Sequence, residues 1–180
     1  MYNKIISIVI PSYNMEDYLA RSVESLLDDR INDELEIIIV NDGSTDSTGT
    51  IAHKYSMNYP STVIAYDKDN GHYGSAVNIG ISIAKGKYIK VLDADDWFDK
   101  ENFVSFVLEL KIRETVDVVF TKWTINNKET GNVIHSLESE NKTGEVFDVQ
   151  KIIVDDRNYS FYSFYGITYL TEHLKKIEYR

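Results

Sequence analysis

A chain of 180 residues, 43% hydrophobic and 27% charged, is long enough to bury a core and ordinary in composition for a globular protein. A formal net charge of -10 argues against a nucleic-acid backbone as partner, because phosphate binding needs a basic face. The absence of cysteine excludes disulfides and thiolate metal centres, and no apolar run reaches the roughly 18 residues that span a bilayer.

Ile5-Ile-Ser-Ile-Val-Ile10 is a β-branched run that reads as a strand buried on both faces and stopped by Pro11. Met15–Arg30 sets Leu19, Val23, Leu26 and Leu27 on one side at helical spacing. Leu35–Val40 is a second buried strand. Asp42-Gly-Ser-Thr-Asp46-Ser-Thr then supplies turn and N-cap residues for a helix reaching about Tyr59. Thr62–Tyr66 reads as a third strand, and Ala76, Ile79, Ile83 and Ala84 mark a helix behind a glycine-punctuated loop. Lys87–Leu92 is a fourth strand, followed by a helix carrying Phe103, Val104, Val107, Leu108 and Leu110 and by a strand over Val116–Thr124. Beyond residue 125 the pattern thins. Asn126–Gly144 is polar, with turns expected at Asn126-Asn127 and Thr130-Gly131. Val133–Leu137 is a candidate outlying strand, Tyr159–Tyr165 is strongly aromatic, and a final helix starts near Thr171.

Alternating strands and helices with short links predict an α/β fold: an open, mostly parallel sheet with helices on both faces. Such sheets bind ligands beyond the carboxyl ends of their strands. Polar segments occupy three of those ends: Pro11–Asn14, Asn41–Asp46 and Asp93–Asp96. The last follows an apolar strand as Val91-Leu-Asp-Ala-Asp-Asp-Trp-Phe-Asp99. Carboxylates this close repel unless a cation neutralises them, and short oxygen ligands suit Mg2+ or Mn2+. The competing reading is a solvated turn whose acids cap the next helix at Lys100. Gly43, Gly71, Gly74 and Gly80 lack the spacing of a phosphate-binding Gly-x-Gly-x-x-Gly loop and read as turn and packing positions. His53 and His173 read as helix-surface residues and His135 as a strand or turn residue. His72 stands in a loop of the expected site, and Trp97 is expected to pack under the acidic turn.

Taken in order, Ser7-Ile-Val-Ile-Pro-Ser-Tyr-Asn14, Glu16-Asp-Tyr-Leu19, Ile37-Ile-Ile-Val-Asn-Asp-Gly-Ser-Thr-Asp46, Asp69-Asn-Gly71, Asn78-Ile-Gly80, Ala84-Lys-Gly-Lys-Tyr88 and Leu92-Asp-Ala-Asp-Asp-Trp97 resemble the nucleotide-sugar domain of family 2 glycosyltransferases, which have the GT-A fold. The resemblance covers roughly residues 5–100. It implies that Pro11, Ser12 and Tyr13 lie along the nucleotide base and that Asp42 bonds the uracil edge. It also implies that Asp93-Ala-Asp95 is the family's DxD motif. There Asp93 would face the ribose or a metal-bound water, Asp95 would hold the metal, and Asp96 would be a second-choice ligand. Asn78, in the matching piece Asn78-Ile-Gly80, is carried over as a nucleotide contact. Three departures stand out. Asn41 replaces an acid common in the family, Val77 replaces a common arginine, and Gly71-His-Tyr-Gly-Ser75 varies the usual Gly-Gly loop. Binding is then expected to lean on the metal, on Lys68 or on His72.

The implied reaction passes a sugar from a nucleoside diphosphate, UDP foremost, to an acceptor hydroxyl with inversion, assisted by Mn2+ or Mg2+. The implied acceptor is a saccharide or lipid-linked saccharide, and the implied process is glycan or cell-surface polysaccharide synthesis. A general base is needed, and none is identified. Asp155, Asp156, Glu138 and Glu140 are unconvincing, and the expectation is a base beyond Arg180. Residues 1–125 are expected to be the nucleotide-sugar half of one compact domain, and 126–180 an incomplete start of the acceptor side of a longer protein. No signal peptide is expected, and the chain reads as cytoplasmic, reaching at most the inner face of the membrane. Two other classes remain open: a nucleotide-sugar-binding module without catalysis, and a phosphotransferase with Asp93 as nucleophile and Asp95 as its acid-base partner.

Overall fold

The computed structural model describes residues 2–126, 133–135 and 166–176. The chain divides into two units, Met1–Asp117 with Tyr169–Arg180, and Val118–Thr168. In the first unit the elements are β1 (Lys4–Ser12), α1 (Leu19–Leu26), β2 (Leu35–Asp42), α2 (Thr48–Asn58), β3 (Val63–Lys68), α3 (His72–Ile83), β4 (Gly86–Val91) and α4 (Lys100–Ile112). In the second are β5 (Val118–Phe120), β6 (Thr124–Asn126) and β7 (Val133–His135). Next comes β8 (Ile167–Leu170), whose last two residues return to the first unit, and then α5 (Thr171–Lys175).

The strand order in the first unit is β3-β2-β1-β4, all parallel, with the end of β8 antiparallel on β4 through Tyr88↔Leu170 and Ile89↔Tyr169. This is the expected α/β architecture. Its core is the β-branched runs themselves. Val9, Ile38 and Val40 pack with Ala76 and Ile81 of α3 and with Ala84 just after it, while α1 and α4 pack together and α4 meets β1. Each Val or Ile among them removed from water contributes about 1.5–3 kcal/mol before entropy is counted. Gly80 lets α3 approach: a Cβ there would sit 2.1 Å from Val9 Cγ1.

Pro11 does not stop β1 as expected. The strand continues to Ser12, with Pro11 in register with Val40. Val9 O accepts from Leu92 N, so residues 9 and 11 both turn their hydrogen-bonding edge toward β4, whose pairing ends at Val91. The proline's missing N–H therefore falls where no acceptor strand remains. The first helix is shorter than Met15–Arg30: it starts at Leu19 and ends before Leu27, whose backbone is extended (φ -78, ψ 120). The expected strand over Val116–Thr124 is only three residues long, Val118–Phe120, and β6 pairs with β7 through Ile125↔Ile134. The strand β8 was not anticipated. The aromatic segment, the expected turn at Thr130-Gly131 and the acids Glu138, Glu140, Asp155 and Asp156 lie outside the described residues; of the turn expected at Asn126-Asn127, Asn126 ends β6 and Asn127 lies outside them. Among the described residues no helix is long and apolar enough to cross a membrane.

Candidate functional site

The carboxyl ends of β1, β2 and β4 open onto a cleft of about 670 Å³. It is lined by Pro11, Ser12, Tyr13 and Met15 after β1, Asp42 at the end of β2, and Asn70, His72, Tyr73 and Ala76 at the start of α3. Asp93, Ala94 and Asp95 after β4 complete it. Four of the residues expected at the site, Pro11, Ser12 and Tyr13 after β1 and Asp42 at the end of β2, thus meet the acid pair Asp93 and Asp95 after β4. Lys68, Asn78 and Asp96 do not line the cleft; Asn78 is exposed on α3.

The loop after β1 is fixed by the loop after β2. Asn14 (φ 52) donates its N–H to Ser44 Oγ at 3.0 Å and accepts from Thr45 N at 2.9 Å, while Glu16 Oε2 accepts from Ser47 N at 2.9 Å. Gly43 makes the second loop possible. Its φ is +70, and a Cβ would lie 2.7 Å from Asn70 N.

Asp42 is buried at the polar end. Its Oδ1 accepts from Lys68 Nζ and, at 2.9 Å, from Gly71 N. Burial alone would push this carboxyl up, but the Lys68 ammonium and the Gly71 N–H outweigh it and hold the group below the usual carboxylate range. Lys68 thus acts behind Asp42 and keeps it ionised. Asn41 is not merely a lost acid. Its Nδ2 donates to Asp67 Oδ1 at 2.8 Å and its Oδ1 accepts from Ser44 N at 3.2 Å. A carboxylate at 41 would face the Asp67 carboxylate, which the Asn41 amide and then the ring of His53 (Nε2 to Oδ2, 2.6 Å) hold below its ordinary value. Val77 packs against the apolar cluster under α3, so this position does not serve the cleft.

At the opposite end the chain leaves β4 in a turn closed by Asp96 N donating to Asp93 O at 2.9 Å. Asp93 Oδ1 accepts from the Tyr73 hydroxyl at 2.7 Å, and Asp95 is exposed. Asp96 is pushed up first by burial and then by the charges of Asp95 and Asp93, with Arg21 opposing. Asp99, not the earlier acids, caps α4, accepting from Asn102 N at 3.0 Å. That removes capping as the reason for Asp93, Asp95 and Asp96. Trp97 does not lie buried under the turn; it is 41% exposed, with the Arg21 guanidinium carbon 3.8 Å from its ring centre.

No group of three or more His, Asp or Glu side chains among the described residues is arranged to hold a metal ion. The donor set here is two aspartates, Asp93 and Asp95. That fits an Mg2+-like ion that takes one or two protein carboxylates and fills its other positions with water and substrate phosphates. Sequence reasoning passed over Tyr73, Arg21 and Asn70. Asn70 and Tyr73 fall inside matched segments that gave them no role, and the partners of Tyr73 and Arg21 lie 20 and 74 residues away along the chain.

Comparison with known proteins bears on this cleft. Residues 7–178 match the model of the family described as Glycosyl transferase family 2. The chain is 33% identical over 154 residues to the minor teichoic acid biosynthesis protein GgaB of Bacillus subtilis, covering 83% of this chain and 17% of GgaB. It is 32% identical over 154 residues to the glycosyltransferase GlyG of Streptococcus pneumoniae, covering 86% of this chain and 49% of GlyG. Among solved structures, S. aureus TarS 1-349 in complex with UDP-GlcNAc aligns with a TM-score of 0.57 at 28% identity, over 64% of this chain and 33% of that one. The chain therefore spans at most about half the length of these relatives.

Proposed function

This chain belongs to glycosyl transferase family 2, and from that premise we propose that it forms the donor-binding part of an inverting, metal-dependent transferase. The enzyme passes a sugar from a nucleoside diphosphate, UDP foremost, to an acceptor hydroxyl. The observation that carries this reading is one cleft with an ionised, buried Asp42 at one end and the Asp93–Asp95 pair at the other. Its GT-A fold, an α/β sheet whose strand ends build that cleft, is the scaffold of its structural relatives.

An ionised carboxylate accepts and never donates. Asp42 Oδ1 is already engaged, so Oδ2 is left to accept the N3–H of a uracil ring lying along Pro11, Ser12 and Tyr13. The first turn of α3, carrying His72 and Tyr73, faces the same space, and the positive end of a helix favours a diphosphate. Asp93 and Asp95 would hold Mn2+ or Mg2+, with Asp96 beside them. Such an ion supplies Lewis-acid stabilisation of the leaving diphosphate. Asp93 holds its orientation through the Tyr73 hydroxyl. Lys68 keeps Asp42 charged, and Asn78 serves at most the rim. In this reading residues 1–125 form the donor half and 126–180 begin the acceptor half. The acceptor is a saccharide or lipid-linked saccharide of a cell-surface polysaccharide, the class of product for which GgaB is named.

Calorimetric titration of UDP into the chain, with and without Mn2+, tests the reading. The expected result is binding that tightens at least about tenfold with the ion, as for interactions worth about 1.4 kcal/mol. A chain that binds no uridine nucleotide under either condition overturns it.

A further inference from the structure

The acidic turn after β4 is gripped from two sides by two helices. From α3, the Tyr73 hydroxyl donates to Asp93 Oδ1 at 2.7 Å. From α1, Arg21 Nη2 donates to the Asp95 carbonyl oxygen at 2.9 Å, and its guanidinium stacks on Trp97 at 3.8 Å. These contacts join residues 20 and 74 positions apart. They engage a segment in which Asp93, Asp95 and Asp96 repel one another and would otherwise spread. The Tyr73 bond commits one oxygen of Asp93, a residue of the cleft lining, and leaves the other outside that contact. The Arg21 bond takes the backbone of Asp95 and leaves its carboxylate outside that contact.

We infer that Tyr73 and Arg21 are positioning residues that clamp this turn and present the Asp93 and Asp95 carboxylates in a preset geometry to a divalent cation carrying a diphosphate. The inference rests on the donor-site reading above and deepens it. Partners that orient metal-binding carboxylates are worth about 10–100-fold in metal affinity in other proteins.

Arg21 makes the test discriminating, because its two roles have opposite signs. As a bare positive charge it repels a cation, so removing it should tighten binding. As a clamp it holds Asp95, so removing it should weaken binding. Arg21→Lys keeps the charge but cannot offer the planar fork or stack in the same way. Tyr73→Phe keeps the ring and alters no charge.

The experiment titrates Mn2+ into the full chain at saturating UDP, following the paramagnetic resonance signal of free Mn2+. Uridine affinity without metal serves as the control for folding. The clamp predicts about tenfold weaker Mn2+ binding for Tyr73→Phe and Arg21→Gln, intermediate weakening for Arg21→Lys, and unchanged uridine affinity for the two Arg21 variants, whose residue lies outside the cleft lining. Unchanged Mn2+ affinity in Tyr73→Phe, or tighter binding in Arg21→Gln, overturns it. So does equal loss of uridine and Mn2+ affinity, which marks a general disturbance of the fold. If the wild-type chain binds UDP but the variants match it, the clamp alone falls. If the wild-type chain binds neither UDP nor Mn2+, the donor-site reading falls with it.

Discussion

Replacing Asp42 by asparagine probes the polar end of the cleft and its energetics together. Asp42 is 3% exposed, and the Lys68 side chain opposite it retains 17% of its surface. Asparagine keeps the shape and still accepts from Gly71 N–H, but it removes the charge facing Lys68. Breaking a shielded ion pair by taking one partner costs about 3–5 kcal/mol. Lys68 also donates to the Asp69 carbonyl and has some access to water, so the loss should sit at the lower end, about 3 kcal/mol. The pH dependence has a definite sign. The Asp42 carboxyl is held below its unfolded value near 3.9, so its stabilising contribution is present above about pH 4 and is lost as pH falls through the depressed native value. The gap between wild type and Asp42→Asn should be widest near neutrality and close in acid. Urea unfolding across that range measures it, provided the slopes agree. A gap under about 1 kcal/mol at neutral pH, or one that stays constant into acid, refutes the ion-pair reasoning. In the donor-site reading the same variant should also bind uridine about tenfold more weakly, since a bond to a charged acceptor is worth about 1.5–3 kcal/mol.

Asp95→Asn changes an exposed residue at a strand end, so its melting temperature should match wild type while the Mn2+-dependent part of UDP binding disappears; calorimetry with and without the ion decides. Gly80→Ala would force a Cβ to 2.1 Å from Val9 Cγ1, and the overpacking should cost about 1–3 kcal/mol in denaturant unfolding. A neutral outcome would mean that α3 can lift off β1 without penalty. His72 holds φ 69, a left-handed conformation that costs a side-chain-bearing residue about 1 kcal/mol. His72→Gly should therefore raise the melting point slightly, and a lower one refutes the strain argument.

Strands β1 and β2 were legible as nearly continuous β-branched runs, and β3 and β4 as shorter mixed segments that alternate with helical patterns, signatures that need nothing beyond their own few residues. The helix faces were legible from their three- and four-residue spacing, except that Leu108, read together with Phe103, Val104, Val107 and Leu110, is exposed. Leu19, Val23, Leu26 and Leu27 are buried as their spacing requires. The site was half legible. Pro11, Ser12, Tyr13, Asp42, Asp93 and Asp95 stand at strand ends, and the doubly wound topology makes those ends converge. Asn78 and Lys68 matched a motif or a need for positive charge, yet they sit outside the lining, because a motif fixes position along the chain and not direction in space.

Composition and local pattern by themselves determined the α/β class, the sheet and the acidic character of one strand end, since burial and backbone preference act residue by residue. Only tertiary structure decided that Asn41 bridges Asp67 and Ser44, that Pro11 stays in its strand, that Asp99 takes the capping role, and that Tyr73 and Arg21 hold the acidic turn. It also decided that Lys90 lies inside the sheet, where burial lowers it to about 8. Each of these depends on groups brought together from distant places in the chain. Hydrogen bonds and ion pairs act over a few ångströms, and no spacing in one dimension encodes such a meeting.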